Sequence, residues 1–230
     1  MLTLSTPISK MGCMARPVRR SGTRQPSKRY HHGDLPRALL HEAVHTIQRD
    51  GVEALTLRGV GDRLGVSRTA LYRHFTSKQA LLASVASEGF RMLRQELDEA
   101  WTAAGRGAAG FEAMGRAYVR FAVRHSSHYR VMFGGHLDPS QRQAIADDQR
   151  ANSRDESDAF GMLVQAIVEQ QQQGIVRPDD PQTLALYIWS VVHGVAMLAI
   201  DRLLESPREI EELIGFALER MRTGIALPKS

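Results

Sequence analysis

The chain cannot form an internal disulfide: its 230 residues include one cysteine, Cys13, and a bridge needs two. Disulfide-stapled scaffolds are thereby excluded, and a chain of this length buries an adequate apolar core without staples. A lone cysteine suits a reducing compartment, so a cytoplasmic location is expected. Long uninterrupted apolar runs are also missing. The first 29 residues hold no continuous apolar stretch, and the longest such run in the C-terminal half, Val191 to Ile200, is interrupted by His193 and Gly194. Neither a secretory leader nor a membrane span is expected. Alternation of apolar and polar residues is nowhere sustained, which argues against strands and leaves an all-α chain.

What is present is basic charge in one place. Residues 1 to 78 carry 14 Lys and Arg against 5 Asp and Glu, a net of +9, whereas residues 79 to 230 carry 16 against 20, a net of −4. A basic segment beside a mildly acidic one fits a polyanion-binding module joined to a domain that does not bind polyanions, or simply a solubilising basic tail. Residues 1–29, with Pro7, Pro17, Pro26 and seven basic residues but no acid, read as a disordered basic arm.

Beyond the arm, capping residues and glycine stops divide the chain into helices. Asp34 stands before a first helix that runs to about Asp50 and stops at Gly51, with Leu40, Ala43, Val44 and Ile47 on one face. Thr56 precedes a second, Leu57 to Leu64, closed by Gly65, and Ser67 a third, Arg68 to about Phe75. Thr76-Ser77 precedes a fourth, Lys78 to about Trp101, followed by an Ala/Gly-rich loop over 102–110. The C-terminal half reads as helices from Phe111 to about His125, Ser127 to Phe133, Pro139 to Gln173, Pro181 to about Leu204 and Arg208 to about Thr223.

The third helix has the pattern of a DNA reader, which must rest one face on a supporting helix while its polar face meets base edges. In VSRTALYRHF, Val66, Ala70, Leu71 and Phe75 turn inward, leaving Arg68, Thr69, Tyr72, Arg73 and His74 outward or sideways. Gly59 and Gly61 in the short second helix each cost about 1 kcal/mol relative to alanine, so a packing reason is expected for at least one.

Residues 30–85, YHHGDLPRALLHEAVHTIQRDGVEALTLRGVGDRLGVSRTALYRHFTSKQALLASV, resemble the DNA-binding domain of the TetR family of repressors. The likeness rests on the first helix with its Gly stop, the L-R-x-V-x-x-x-x-G-V-S core and the L-Y-x-H-F-x-x-K close; Gly61 departs from the small alanine-like residue usual there. The resemblance implies base contacts from Arg68, Thr69 and Arg73, with Arg68 suited to a bidentate grip on guanine. It places Thr56, Tyr72, His74 and Lys78 at phosphates. Tyr72 as a half-buried aromatic and His74 as a cation at a helix end are the bland alternatives.

His41-Glu42-Ala43-Val44-His45 is a literal H-E-x-x-H, the zinc-hydrolase pattern. Both histidines flank the apolar stripe of the first helix and are expected to face solvent. The next histidine, His74, belongs to the reading helix, so no third ligand is at hand. No metal, cofactor or catalytic set is expected, and the chain is read as no enzyme, with a zinc hydrolase at His41, Glu42 and His45 as the remote rival.

In the C-terminal half, apolar residues recur at helical spacing, and their simplest role is core. The mixture of aromatics, methionines and a few polar groups also suits a cavity between helices. Candidate cavity residues are Met114, Tyr118, Phe121, Phe133, Phe160, Trp189, His193 and Met197. WSVVHGVAML, Trp189 to Leu198, with HYRVMFG, His128 to Gly134, is similar to the ligand-binding domain of a TetR subgroup with a Trp-x-x-x-His-Gly element. That likeness implies a small-molecule effector and a homodimer whose last two long helices form a four-helix bundle with their mates. Val191, Val195, Leu198, Ile214, Leu218 and Met221 are its candidate interface residues.

The domains expected are thus a basic arm at 1–29, a three-helix helix-turn-helix DNA-binding domain at 30–82 and a helical ligand-binding and dimerisation domain at 83–230. The expected partners are a near-palindromic double-stranded operator, an effector and a second copy. The expected function is a regulator, typically a repressor, released from DNA by its effector. The rival within this fold is a C-terminal half that only dimerises or binds proteins.

Overall fold

Side-chain caps set the starts of three of the first four helices. The computed structural model describes residues 34–151, 159–204 and 206–225. The arm at 1–29, Cys13 and Tyr30 to Gly33 lie outside the described residues. Helix α1 spans Leu35–Asp50, α2 Leu57–Leu64, α3 Arg68–His74 and α4 Lys78–Ala103. The Thr56, Ser67 and Ser77 hydroxyls accept the backbone N–H of Gly59, Ala70 and Ala80 at 3.0, 3.2 and 3.1 Å. Each such bond satisfies a donor that the helix itself cannot, a contribution of about 1 kcal/mol. Asp34 does not cap α1 with its side chain: its ψ of 37° lies outside the extended region a cap needs, and its carboxylate sits 3.7 Å from Arg37.

Both glycines of α2 have packing reasons. A Cβ on Gly61 would lie 3.1 Å from Leu71 Cδ2, so the bare glycine lets α3 settle closely on α2, and one on Gly59 would press the capping Thr56 oxygen at 2.9 Å. Leu39, Ala43 and Ile47 of α1, Val60 of α2, Leu71 of α3 and Leu81, Leu82 and Val85 of α4 form one buried cluster.

Helix α4, 26 residues and therefore about 39 Å long, runs out of this cluster into the second half of the chain. The expected boundary at 82/83 falls inside it. After α4, the structure places α5 at Gly107–Arg124, α6 at Ser126–Phe133, α7 at Pro139–Ala151, α8 at Ala159–Gln172, α9 at Pro181–Ile200 and α10 at Pro207–Ile225. Helix α5 packs on α4 and α9, α6 on α4 and α1, and α9 also on α8 and α10. The described helices all fall within one compact unit, His32–Ser230.

Two bounds differ from the sequence reading. The loop expected over 102–110 shrinks, because Gly105, Arg106 and Gly107 turn the chain at φ of 80°, 60° and 60°. Helix α5 then begins at Gly107, and its first turn sets Gly110 against Trp101, where a Cβ would meet the Trp101 carbonyl at 2.9 Å. Of the single helix expected from Pro139 to Gln173, the described parts α7 and α8 are helical and 152–158 lie outside the described residues. Helix α9 stops at Ile200, not near Leu204: Arg202 adopts φ 58°, and Arg130 Nη2 donates to the Ile200 carbonyl and to Asp201 Oδ1, each at 2.9 Å.

By length and composition alone, α9 is also apolar enough to cross a membrane, since His193 and Gly194 do not lower its hydropathy far enough. In this fold it is a packed helix of the second half, touching α5, α8 and α10.

Candidate nucleic-acid interface and interhelical cavity

Seating α3 on its apolar line fixes which side chains look outward. Leu71 and Phe75 are buried and Val66 and Ala70 half-buried, while Arg68, Thr69, Tyr72, Arg73 and His74 are all exposed. The Arg68 guanidinium carbon lies 5.6 Å from the centre of the Tyr72 ring, a cation–π contact that partly orders it. Thr56 is exposed and uses an oxygen lone pair on Gly59, leaving its own hydroxyl proton uncommitted. Lys78, half-buried at the start of α4, donates to the Glu53 carbonyl at 3.3 Å.

The H-E-x-x-H residues are arranged otherwise. His41 and His45 are exposed, and Glu42 lies 3.6 Å from Arg63. Arg63 also donates to Thr46 Oγ1 at 2.7 Å and lies 3.7 Å from Asp50, so Glu42 belongs to the tie between α1 and α2. Among the described residues no three His, Cys, Asp or Glu converge as a metal site would require.

In the second half, residues of α4, α5, α6, α8, α9 and α10 line a half-open cavity of about 380 Å³. Five of the eight sequence candidates line it: Met114, Tyr118, Phe133, Phe160 and Trp189. Phe121, His193 and Met197 do not. Phe121 is fully buried against His125, with ring centres 5.0 Å apart, and Met197 is half-buried farther along α9. The sequence reading missed Phe90, Leu93 and Leu97 of α4, along with Phe111, Leu163 and Val192. A signal for the first three was present, since 90, 93 and 97 continue the helical apolar stripe of α4 beyond the DNA-binding module.

His193 stands behind the wall in a hydrogen-bonded chain. Trp189 Nε1 donates to the Tyr118 hydroxyl at 2.8 Å, the Tyr118 and Tyr129 hydroxyls are 2.9 Å apart, and His193 Nδ1 lies 2.6 Å from the Tyr129 hydroxyl and 3.2 Å from that of Tyr118. Burial keeps this chain uncharged. It pushes the Tyr118 phenol up to about 12, opposed by its bonds to Tyr129 and Trp189. Burial raises Tyr129 as well and lowers His193 below the usual imidazole value.

The candidate interface residues divide. Val195, Ile214, Leu218 and Met221 are buried inside the protomer, and Leu218 lines the cavity, so none has much surface to offer a second chain. Val191 is half-buried and Leu198 exposed. The large apolar residues that do reach the surface of α9 and α10 include Tyr187, Leu198 and Phe216.

The model described as "Bacterial regulatory proteins, tetR family" matches residues 39–85, and "Tetracyclin repressor-like, C-terminal domain" matches residues 111–221. A protein of unknown function from Rhodococcus sp. RHA1 is 32% identical, with a TM-score of 0.75 over 87% of this chain and all of that one. A tetR-family regulatory protein from Rhodococcus RHA1 has a TM-score of 0.61 at 23% identity, over 81% of this chain and 95% of its own. The HTH-type transcriptional regulator YobS of Bacillus subtilis (strain 168) is 20% identical over 195 residues, 85% of this chain and 94% of its own.

Proposed function

The chain belongs to the TetR family of bacterial transcriptional regulators, DNA-binding proteins, and from that premise we propose a cytoplasmic homodimeric repressor that leaves its operator when a small molecule fills the interhelical cavity. The observation that carries this reading is the double duty of α4. Its start, from Lys78, packs on α1 and puts Leu81, Leu82 and Val85 into the buried cluster that also holds Leu71 of the recognition helix, and its middle, through Phe90, Leu93 and Leu97, walls the cavity. A ligand that favours one tilt of α4 therefore favours one placement of α3. An open cavity bordered by Tyr118 and Trp189 supports sensing over a C-terminal half that only dimerises. The engagement of Glu42 with Arg63 speaks against a zinc hydrolase. A selection for bound duplexes from a random pool, followed by gel shifts with and without ligand, tests the reading; unchanged operator affinity at saturating ligand defeats it.

Two copies of α3 would enter successive major grooves of a near-palindromic site, about 34–36 Å apart. Arg68, Thr69 and Arg73 are assigned to bases, and Thr56, Tyr72, His74 and Lys78 to phosphates. Arg68→Ala is expected to cost about 1–3 kcal/mol on the preferred operator and to relax the choice of base at one position. Lys78→Ala is expected to weaken all sequences alike and to lower the salt slope by about 1. Binding titrations on matched and mismatched duplexes at several salt concentrations separate the two.

A second path joins cavity and reader. Beyond Phe133 at the end of α6, the chain is held by Gln79 of α4, whose Nε2 donates to the His136 carbonyl at 3.1 Å while its Oε1 accepts the Asp138 N–H at 3.2 Å. His136 in turn lies 3.4 Å from Glu53, before α2. Gln79→Ala removes both bonds without touching the DNA face. It should leave operator affinity of the ligand-free protein nearly unchanged and reduce the ligand's effect on that affinity by about 0.5–2 kcal/mol. Operator Kd values with and without ligand, for wild type and variant, give the result directly.

A further inference from the structure

We propose that the molecule this cavity takes is uncharged, built around an aromatic ring system, and carries one neutral polar group directed at Tyr118. The inference rests on the sensing reading above and goes beyond it by naming the chemistry of the ligand.

Among the described residues, the lining carries no Asp, Glu, Lys, Arg or His. Among those residues the side-chain heteroatoms able to form strong hydrogen bonds are the Tyr118 hydroxyl and the Trp189 indole nitrogen, and the second is already spent on the first. Among the described residues, an adjoining recess of about 160 Å³ that shares Phe111 and Leu218 does carry charge, with Glu112 in its wall and Arg222 held by Glu219 at 2.7 Å. An ion entering the main cavity would lose its water and gain no opposite charge, so ions are rejected.

Ring recognition comes from the aromatic wall. Phe133 and Phe160 both pack on Trp189, with ring centres 6.0 and 6.2 Å apart, and Phe90 meets Phe133 edge-on at 5.5 Å. These residues all border the cavity and present ring faces and edges to a flat guest.

Tyr118 is the tether because its chain can run in either direction. If His193 Nδ1 accepts from Tyr129, its nearer partner at 2.6 Å against 3.2 Å for Tyr118, then Tyr129 accepts from Tyr118, and Tyr118, which also accepts from Trp189, keeps one lone pair for a ligand donor. If His193 Nδ1 carries the proton and donates, the order reverses and the Tyr118 proton becomes available to a ligand carbonyl. One neutral hydroxyl or carbonyl is thus accommodated without rebuilding the wall.

The test uses three probes of one shape: naphthol, naphthoate and naphthylmethylammonium, titrated into the full chain by calorimetry at neutral pH. Naphthol is expected to saturate one site per chain, at least about thirtyfold tighter than either ion. Leu163→Lys, which sets a cation in the wall, should abolish naphthol binding and admit naphthoate. Leu163→Trp, which narrows the same wall without charge, should lose naphthol as well and serves if the lysine variant does not fold. Equal or tighter binding of an ion, no naphthol binding up to millimolar concentration, or naphthol binding unaffected by a folded Leu163 variant overturns the proposal. Gel shifts in the same solutions keep the two readings apart: naphthol bound with operator affinity unchanged refutes release by ligand and leaves the ligand chemistry standing.

Discussion

Replacing Leu198 and Phe216 together by aspartate is expected to yield folded monomers that bind the operator about 10²–10⁴-fold more weakly than the parent protein. The two side chains are 40% and 64% exposed in the single chain, so the substitution buries no charge within the protomer. Its helix-propensity cost stays within about 0.7 kcal/mol per residue. On α9, Tyr187, Val191, Gly194 and Leu198 recur at the spacing of one helical stripe, and a Cβ on Gly194 would meet no atom within 4 Å, so this side is open. A second copy laid against it by twofold symmetry would cover the same stripe on both chains. Two carboxylates facing their symmetry mates would then repel in a desolvated contact.

The loss of DNA affinity follows from bivalency. A dimer reaches its second half-site at the effective concentration set by the first, whereas a monomer has no such gain. Sedimentation velocity and operator titration on the same preparation check both halves. A variant that remains dimeric with full affinity would remove α9 and α10 from the interface. Aspartate at Ile214 is no substitute for this test, because Ile214 is 1% exposed and its replacement would unfold the protomer.

Phe121→Ala is expected to destabilise the chain by about 3–5 kcal/mol, while Phe160→Ala costs far less stability and impairs ligand binding. Phe121 is fully buried on α5, so truncation opens a hole that its neighbours only partly fill. Phe160 already borders open space and loses few contacts when shortened. For a chain of this size the first change corresponds to a melting point lower by roughly 6–20 °C. Thermal unfolding followed by circular dichroism, beside naphthol titration of each variant, distinguishes them. Similar melting points for the two would mean that Phe121 is not a packing residue.

The same pair shows where sequence reasoning reaches its limit. Phe121 and Phe160 both lie on apolar helical stripes, and periodicity reports only that such a side chain faces inward. Whether it meets a neighbouring side chain or a void depends on how far apart the helices stand, and no local pattern encodes that distance. Ile214, Leu218 and Met221 illustrate the converse. The surplus of apolar residues on the last two helices was legible, but these three are consumed by the protomer's own core, while Phe216 carries the surface.

The amino-acid order by itself determined the helical class, the caps at Thr56, Ser67 and Ser77, and the outward set Arg68, Thr69, Tyr72, Arg73 and His74, because each depends on bonds within one turn or on a repeat of 3.6 residues. Tertiary packing alone decided that Phe90, Leu93 and Leu97 face a cavity, that Gln79 holds the chain after α6, and that His193 stands behind Tyr118 and Tyr129. Those relations join residues tens of positions apart, and they exist only once α4, α5, α6 and α9 have come together around space they do not fill.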